Sequence, residues 1–217
     1  KNKRKEVLEQ CVKTAAEIRS TNRQEYHYAT IACIAFRGKI SSTVGKVKWA
    51  LKLRSAEQDA LEATKQDGKY VGGFEGGGIL RIMSAVRGNR KAKPLGLYNP
   101  EEALSFANVA LQTKAMEIKP FPSILSGEDF HENYYYIGQS QVALGIEKQQ
   151  ISFVEEGLQT IETAIERLDE LEELEELPEG REPETQFYKK MMKELRGKIK
   201  TCLSEENWKS CLIKKLD

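Results

Sequence analysis

The feature that most restricts this fold is the spacing of its apolar residues, which recur three and four apart along nearly the whole chain. Val7, Cys11, Ala15 and Ile18 make one such stripe. At 3.6 residues per turn that spacing puts all four on one side of a helix. Residues 19–22 are polar and read as a turn. A second helical run carries Tyr26, Ala29, Cys33 and Phe36 and ends near Gly38. Ser41 or Ser42 caps a third, which carries Val44, Val47, Leu51, Ala56 and Leu61 as far as Asp67-Gly68. No run of β-branched residues alternates strictly, so strands are expected to be few or absent.

Further along, punctuation marks the elements. Residues 72–78 hold five glycines, and helix resumes at Ile79. Residues 87–93 form a basic loop leading to Pro94-Leu95-Gly96. Asn99-Pro100-Glu101-Glu102 is a strong helix start: an Asn cap, Pro in the first turn, and carboxylates facing the positive end of the dipole. Pro120 and Pro122 place residues 118–129 in a loop. A helix from about Glu132 to Leu144, a turn at Gly145 and a helix from about Gln150 to Leu168 follow, with breaks expected at Pro178 and Pro183. Leucines at 168, 171, 174 and 177 step by three, which drifts around a helix and points to a solvated extension. The last helix is expected over 184–203, with a tail carrying Trp208 and Cys211.

These runs read as one all-α domain over 1–217: an α-solenoid of TPR-like antiparallel helix hairpins, with 184–217 packing as a cap. The hairpins repeat at a period of about 50, longer than the ~34 residues of an ideal TPR, and the linkers absorb the difference. Small residues (Ala29, Ala32, Ala35, Ala103, Ala107, Ala110, Gly138, Ala143, Ala164) sit where helices approach closely. An ordinary helical bundle is the competing arrangement.

The block Gly76-Gly77-Gly78-Ile79-Leu80-Arg81, Lys93-Pro94-Leu95-Gly96, Asn99-Pro100-Glu101-Glu102-Ala103 and Glu132-Asn133-Tyr134-Tyr135 resembles TPR-like proteins related to the T component of TPR-associated TRAP transporters. The resemblance covers about residues 70–165. Residues 115–130 and the basic insert at 87–93 depart from it. It implies an exported, often lipid-anchored scaffold engaging a protein partner, such as a periplasmic binding protein, or a small ligand.

Composition excludes little. The 34 Lys+Arg and 33 Asp+Glu leave a formal charge of +1, which predicts no global attraction to nucleic acid or anionic lipid. At 40% hydrophobic residues the chain can fold, and no apolar run reaches the ~20 residues of a membrane helix. The chain begins at Lys1, read here as a processed or engineered start. A membrane link is therefore expected only through a lipid anchor placed before it.

The four cysteines make two local pairs. Cys11 and Cys33 lie about equally far from the turn at 21–22, and Cys202 and Cys211 flank a helix end at Ser204. Both spacings suit disulfides, and the even count favours an oxidising compartment: periplasm or cell envelope, with a cytoplasmic chain of reduced thiols as the alternative. No Cys-x-x-Cys occurs, and only His27 and His131 could add nitrogen ligands, so no metal is expected. No cofactor motif and no nucleophile elbow occurs, so no catalytic residues are assigned.

The candidate contacts are instead those of a binding surface. Arg81, just after the glycines, is the leading ligand contact. Arg87 and Arg90 in the basic loop suit an acidic partner. Asn133, Tyr134 and Tyr135 open the tyrosine helix, whose row of three rings must cover more than one face. The function expected is a non-enzymatic binding scaffold; the alternatives are a cytosolic adaptor or an enzyme with an unrecognised carboxylate site.

Overall fold

A computed structural model describes residues 2–17, 23–71, 73–114, 125–177 and 180–216. Ile18, the turn at 19–22, Gly72, Pro120, Pro122 and Pro178 lie outside the described residues. The fold is all-α. The chain runs α1 (Asn2–Glu17), α2 (Arg23–Lys39), α3 (Thr43–Glu62), β1 (Lys65–Gln66), β2 (Lys69–Tyr70), α4 (Phe74–Arg87), α5 (Pro100–Leu111), α6 (Glu132–Lys148), α7 (Ile151–Glu173), α8 (Glu182–Leu203) and α9 (Trp208–Leu216). Short 3₁₀ turns at Arg90–Leu95 and Gly127–Asp129 precede α5 and α6.

The caps follow the sequence. Ser42 caps α3 by accepting from the Gly45 amide, and Asn99 caps α5 by accepting from the Glu102 amide at 3.2 Å. Two expectations need correction. α3 stops at Glu62, and residues 65–70 form a two-stranded antiparallel hairpin. Asp67 and Gly68 both take positive φ (50° and 75°), the conformation a two-residue hairpin turn demands and Asp-Gly readily supplies. The basic segment is not an open loop either, since Arg90–Leu95 is a 3₁₀ turn.

Helices pack mainly on their sequence neighbours: α1 on α2, α2 on α3, α4 on α5, α5 on α6, α6 on α7 and α7 on α8. α2, more than α3, carries the stack on to α4. Two apolar clusters result. One joins Ile31, Trp49, Leu53, Leu80, Met83 and Phe106 from α2–α5; the other joins Val142, Ile161, Leu168, Met192, Ile199 and Leu212 from α6–α9. The segment from α8 through α9 thus shares the second core. The leucine drift is visible at the end of α7: Leu168 is fully buried and Leu174, just past the helix, is 64% exposed.

Both cysteine pairs are disulfides. Cys11–Cys33 ties α1 to α2, and Cys202–Cys211 ties α8 to α9, with Cα–Cα distances of 5.8 and 5.4 Å. They point to folding in an oxidising environment. Among the described residues no helix is long and apolar enough to cross a membrane.

Candidate functional site

The glycine-rich turn positions the first part of the site. Glu75, Gly76 and Gly77 have φ of 53°, 53° and 79°, a left-handed turn before right-handed helix begins. A Cβ on Gly76 would sit 2.5 Å from the Phe130 ring, and one on Gly77 would sit 2.8 Å from the Ala110 Cα. The absent side chains let α4 start against α5 and against the approach to α6. On the next turn, Arg81 donates to the Gly76 carbonyl at 3.2 Å.

That approach is itself built tightly. Ser126 and Asp129 bond reciprocally across the 3₁₀ turn. The Asn133 side-chain amide, fully buried, donates to the Gly127 carbonyl at 2.7 Å. Glu132 then projects inward from the first turn of α6. It accepts from Arg181 at 2.9 and 3.0 Å and pairs with Arg81 at 3.3 Å. Both guanidiniums stack on the Phe130 ring, at 3.9 Å for Arg81 and 4.1 Å for Arg181. Arg81 is 6% exposed and Glu132 7%. The sequence makes Arg81 the leading ligand contact, but the structure buries it: a carboxylate held between two cations and one ring locks α4, α6 and the start of α8 together.

The three tyrosines do cover different faces, as the row requires. Tyr136 points inward and shares a 2.7 Å hydrogen bond with Tyr188 of α8. Tyr134 is half-buried and accepts from Arg167 at 3.0 Å. Tyr135 turns to a crevice between α6 and α8. Burial pushes the Tyr135 phenol up to about 12 and the Tyr136 phenol well above the usual tyrosine range, so both stay protonated and neither serves as a base near neutrality. Burial likewise lowers His131, which stands at the start of α6 with its Nδ1 unbonded among the described residues.

The basic segment is tied to carboxylates of its own chain, with the Arg87 and Arg90 side chains mostly covered and Lys93 exposed. Arg87 bonds Glu57 at 2.9 Å and pairs with Glu102 at 3.2 Å. Arg90 and Lys93 both reach Glu147, at 2.8 and 3.0 Å. Burial would raise Glu147, but Lys93 and Arg90 outweigh it and hold the carboxyl below its ordinary value. Three of the four cations at 87–93 therefore meet carboxylates of this chain, and Arg87 is removed from any exposed acidic-partner surface.

The crevice beside Tyr135 brings two of the sequence-derived residues, Arg90 and Tyr135, to one opening. Arg90 and Tyr135 line a space of about 120 Å³ with Gln139, Glu194 and Lys198, over Val142, Leu195 and Leu216. Compared with known protein families, with characterised proteins and with solved structures, the chain matches none. The site therefore rests on its own chemistry. Its size is comparable to a cavity of about 150 Å³ that accepts benzene, so one side-chain-sized group fits. Polar groups of both signs stand over an apolar floor, the usual make-up of a recognition pocket. Among the described residues no cluster of His, Cys, Asp and Glu could hold a metal ion.

The sequence does not single out Arg181, Glu194 or Lys198, and Glu132 stands there within the resemblance, not as a contact. Arg81 and Glu132 are 51 residues apart and no local spacing joins them. Glu194 and Lys198 are four apart on one face of α8, a signal that is present but unremarkable among so many charges.

Proposed function

We propose that this chain is a non-enzymatic, exported TPR-like scaffold that holds one group of a partner protein or a small ligand in the crevice between α6 and α8. The supporting observation is the crevice itself. Arg90, Glu194 and Lys198 offer charges of both signs around an apolar floor that Tyr135 helps to wall. The buried Glu132 is bound by two arginines and stands away from that opening, so it supplies no free carboxylate for acid–base work.

The TPR-like part of this reading draws on the sequential helix packing and on the close crossing of α6 and α7 at Gly138 and Gly157. The two disulfides favour a site outside the cytoplasm. The resemblance to T-component proteins of TRAP transporters makes a periplasmic solute-binding protein the first partner to test. The ion-paired segment at 87–95 then acts as a rigid wall of the crevice more than as an exposed basic lure.

Thermal shift against amino acids, dicarboxylates and short peptides tests the crevice, with a purified TRAP solute-binding protein as a further arm. The comparison is with Glu194→Lys/Lys198→Glu, which exchanges two exposed charges. A stabilising compound or partner should lose at least ten-fold in affinity on the variant. Equal binding to both proteins would remove the crevice from the proposal.

A further inference from the structure

We propose that the α1–α3 end of the molecule docks on an anionic lipid surface. The near-zero net charge conceals a strong segregation. Residues 1–54 carry 13 Lys+Arg against 4 Asp+Glu, a net of +9, whereas residues 55–217 carry 21 against 29, a net of −8. One end of the chain thus has the footprint of a protein that meets a negative surface.

The same end is apolar where it should be polar. Val44 is 82% exposed, Val7 61%, Leu51 60%, Phe36 57% and Val47 48%. Among the described residues these are five of the nine large apolar side chains left exposed. α3 shows the pattern best. Trp49, Ala50, Leu53 and Ala60 are buried on its inner side. Val44, Val47 and Leu51, at steps of three and four, form a second stripe that meets solvent, with Lys48 one turn after Val44. A surface helix needs one apolar stripe for its own core; a second one requires a cover. On α1 and the end of α2, a shallow groove of Val7, Leu8 and Ile40 is bordered by Lys3 and Arg4. The Cys11–Cys33 bond pins these two helices together, so cations and apolar residues stay at one end.

Charge complementarity and exposed aliphatic side chains together favour lipid over other negative partners. Aliphatic groups enter the headgroup–acyl boundary without needing a matching shape, while the ammoniums of lysine, eight of the 13 cations, meet phosphates. A nucleic acid would call for stacking rings, and the α3 stripe has none. This surface is separate from the crevice of α6 and α8, so either reading can fail alone.

Flotation of the full chain with phosphatidylglycerol-containing vesicles tests it, against phosphatidylcholine vesicles alone. Binding is expected only to the anionic vesicles and should weaken with salt. Val44→Asp/Leu51→Asp and, separately, Arg4→Glu/Lys48→Glu should each reduce partitioning at least ten-fold, with the melting temperature unchanged because these side chains make no core. No binding to anionic vesicles overturns the proposal. So does equal binding by either variant, and so does tighter binding to polyglutamate or single-stranded DNA than to the vesicles.

Discussion

Arg81 and Glu132 meet at 3.3 Å with only 7% and 10% of their side chains exposed, and Glu132 keeps Arg181 as a second partner. The two arginines are therefore not equivalent to the carboxylate they share. Removing Glu132 takes the carboxylate from the buried Arg81 and leaves Arg181 only the exposed Glu184, whereas removing Arg81 leaves the Glu132–Arg181 pair intact. Glu132→Ala should cost about 3–5 kcal/mol, the usual penalty for an uncompensated buried charge. Arg81→Met, which keeps much of the packing on Phe130, should cost roughly half of that. Urea denaturation of both variants measures the difference, and equal losses would show that the two arginines do not share the carboxylate as described.

The crossing of α6 and α7 depends on two missing side chains. A Cβ on Gly157 would lie 2.8 Å from the Gly138 carbonyl oxygen, which belongs to a helix and cannot move aside. Gly157→Ala should destabilise by about 1–3 kcal/mol through overpacking, with a fall in Tm of 2–4 °C for each of those kcal/mol. Gly197 is the control: it sits in α8 with nothing within 4 Å of an added Cβ. Gly197→Ala should raise stability by about 0.5–1 kcal/mol, because alanine loses less backbone freedom in a helix. Opposite signs in a paired thermal melt are the expected result.

How far the sequence led can be judged from these same residues. Helix periodicity, the Ser42 and Asn99 caps and the two cysteine pairs were legible because each is a local signal. Gly138 and Ala164 are small residues at positions where the sequence predicts close packing, and the structure places a tight crossing at Gly138. The Asp67-Gly68 turn is also local, but the apolar run before it reads as helix as far as that turn. The pairings of Arg81, Arg87 and Arg90 were not legible. Each is satisfied by a carboxylate 15 to 57 residues away, and a chain with 33 acidic residues offers no way to choose among them by spacing. Cations that read as a ligand contact and a basic loop became ties between helices for that reason.

The disulfides give a direct count. Both pairs are formed among the described residues, so a denatured, unreduced sample should show no free thiol. Four free thiols would remove the argument for an oxidising compartment. Closing loops of 22 and 9 residues restricts the unfolded chain, and each bond should add about 2.5–3.5 kcal/mol on the loop-entropy account. Cys202→Ser/Cys211→Ser should release α9 first, seen as faster amide exchange over 208–216 than over α6.

His131 should make stability fall on mild acidification. The side chain is 3% exposed and its Nδ1 has no hydrogen-bond partner among the described residues. Burial is the main reason its imidazole is held below the ordinary value of 6.5, and Arg167 and Arg181 act the same way against Glu132 and Asp129. The unfolded chain then binds a proton on this residue at a higher pH than the folded one does. Stability must therefore drop as pH falls from about 6.5 through the lower folded value, and it must be constant in this respect above 6.5. Urea midpoints between pH 7 and pH 5 should decline for the wild type. His131→Gln fills similar space without titrating, and the part of the slope due to this residue should disappear. An unchanged slope in that variant would place the proton uptake elsewhere.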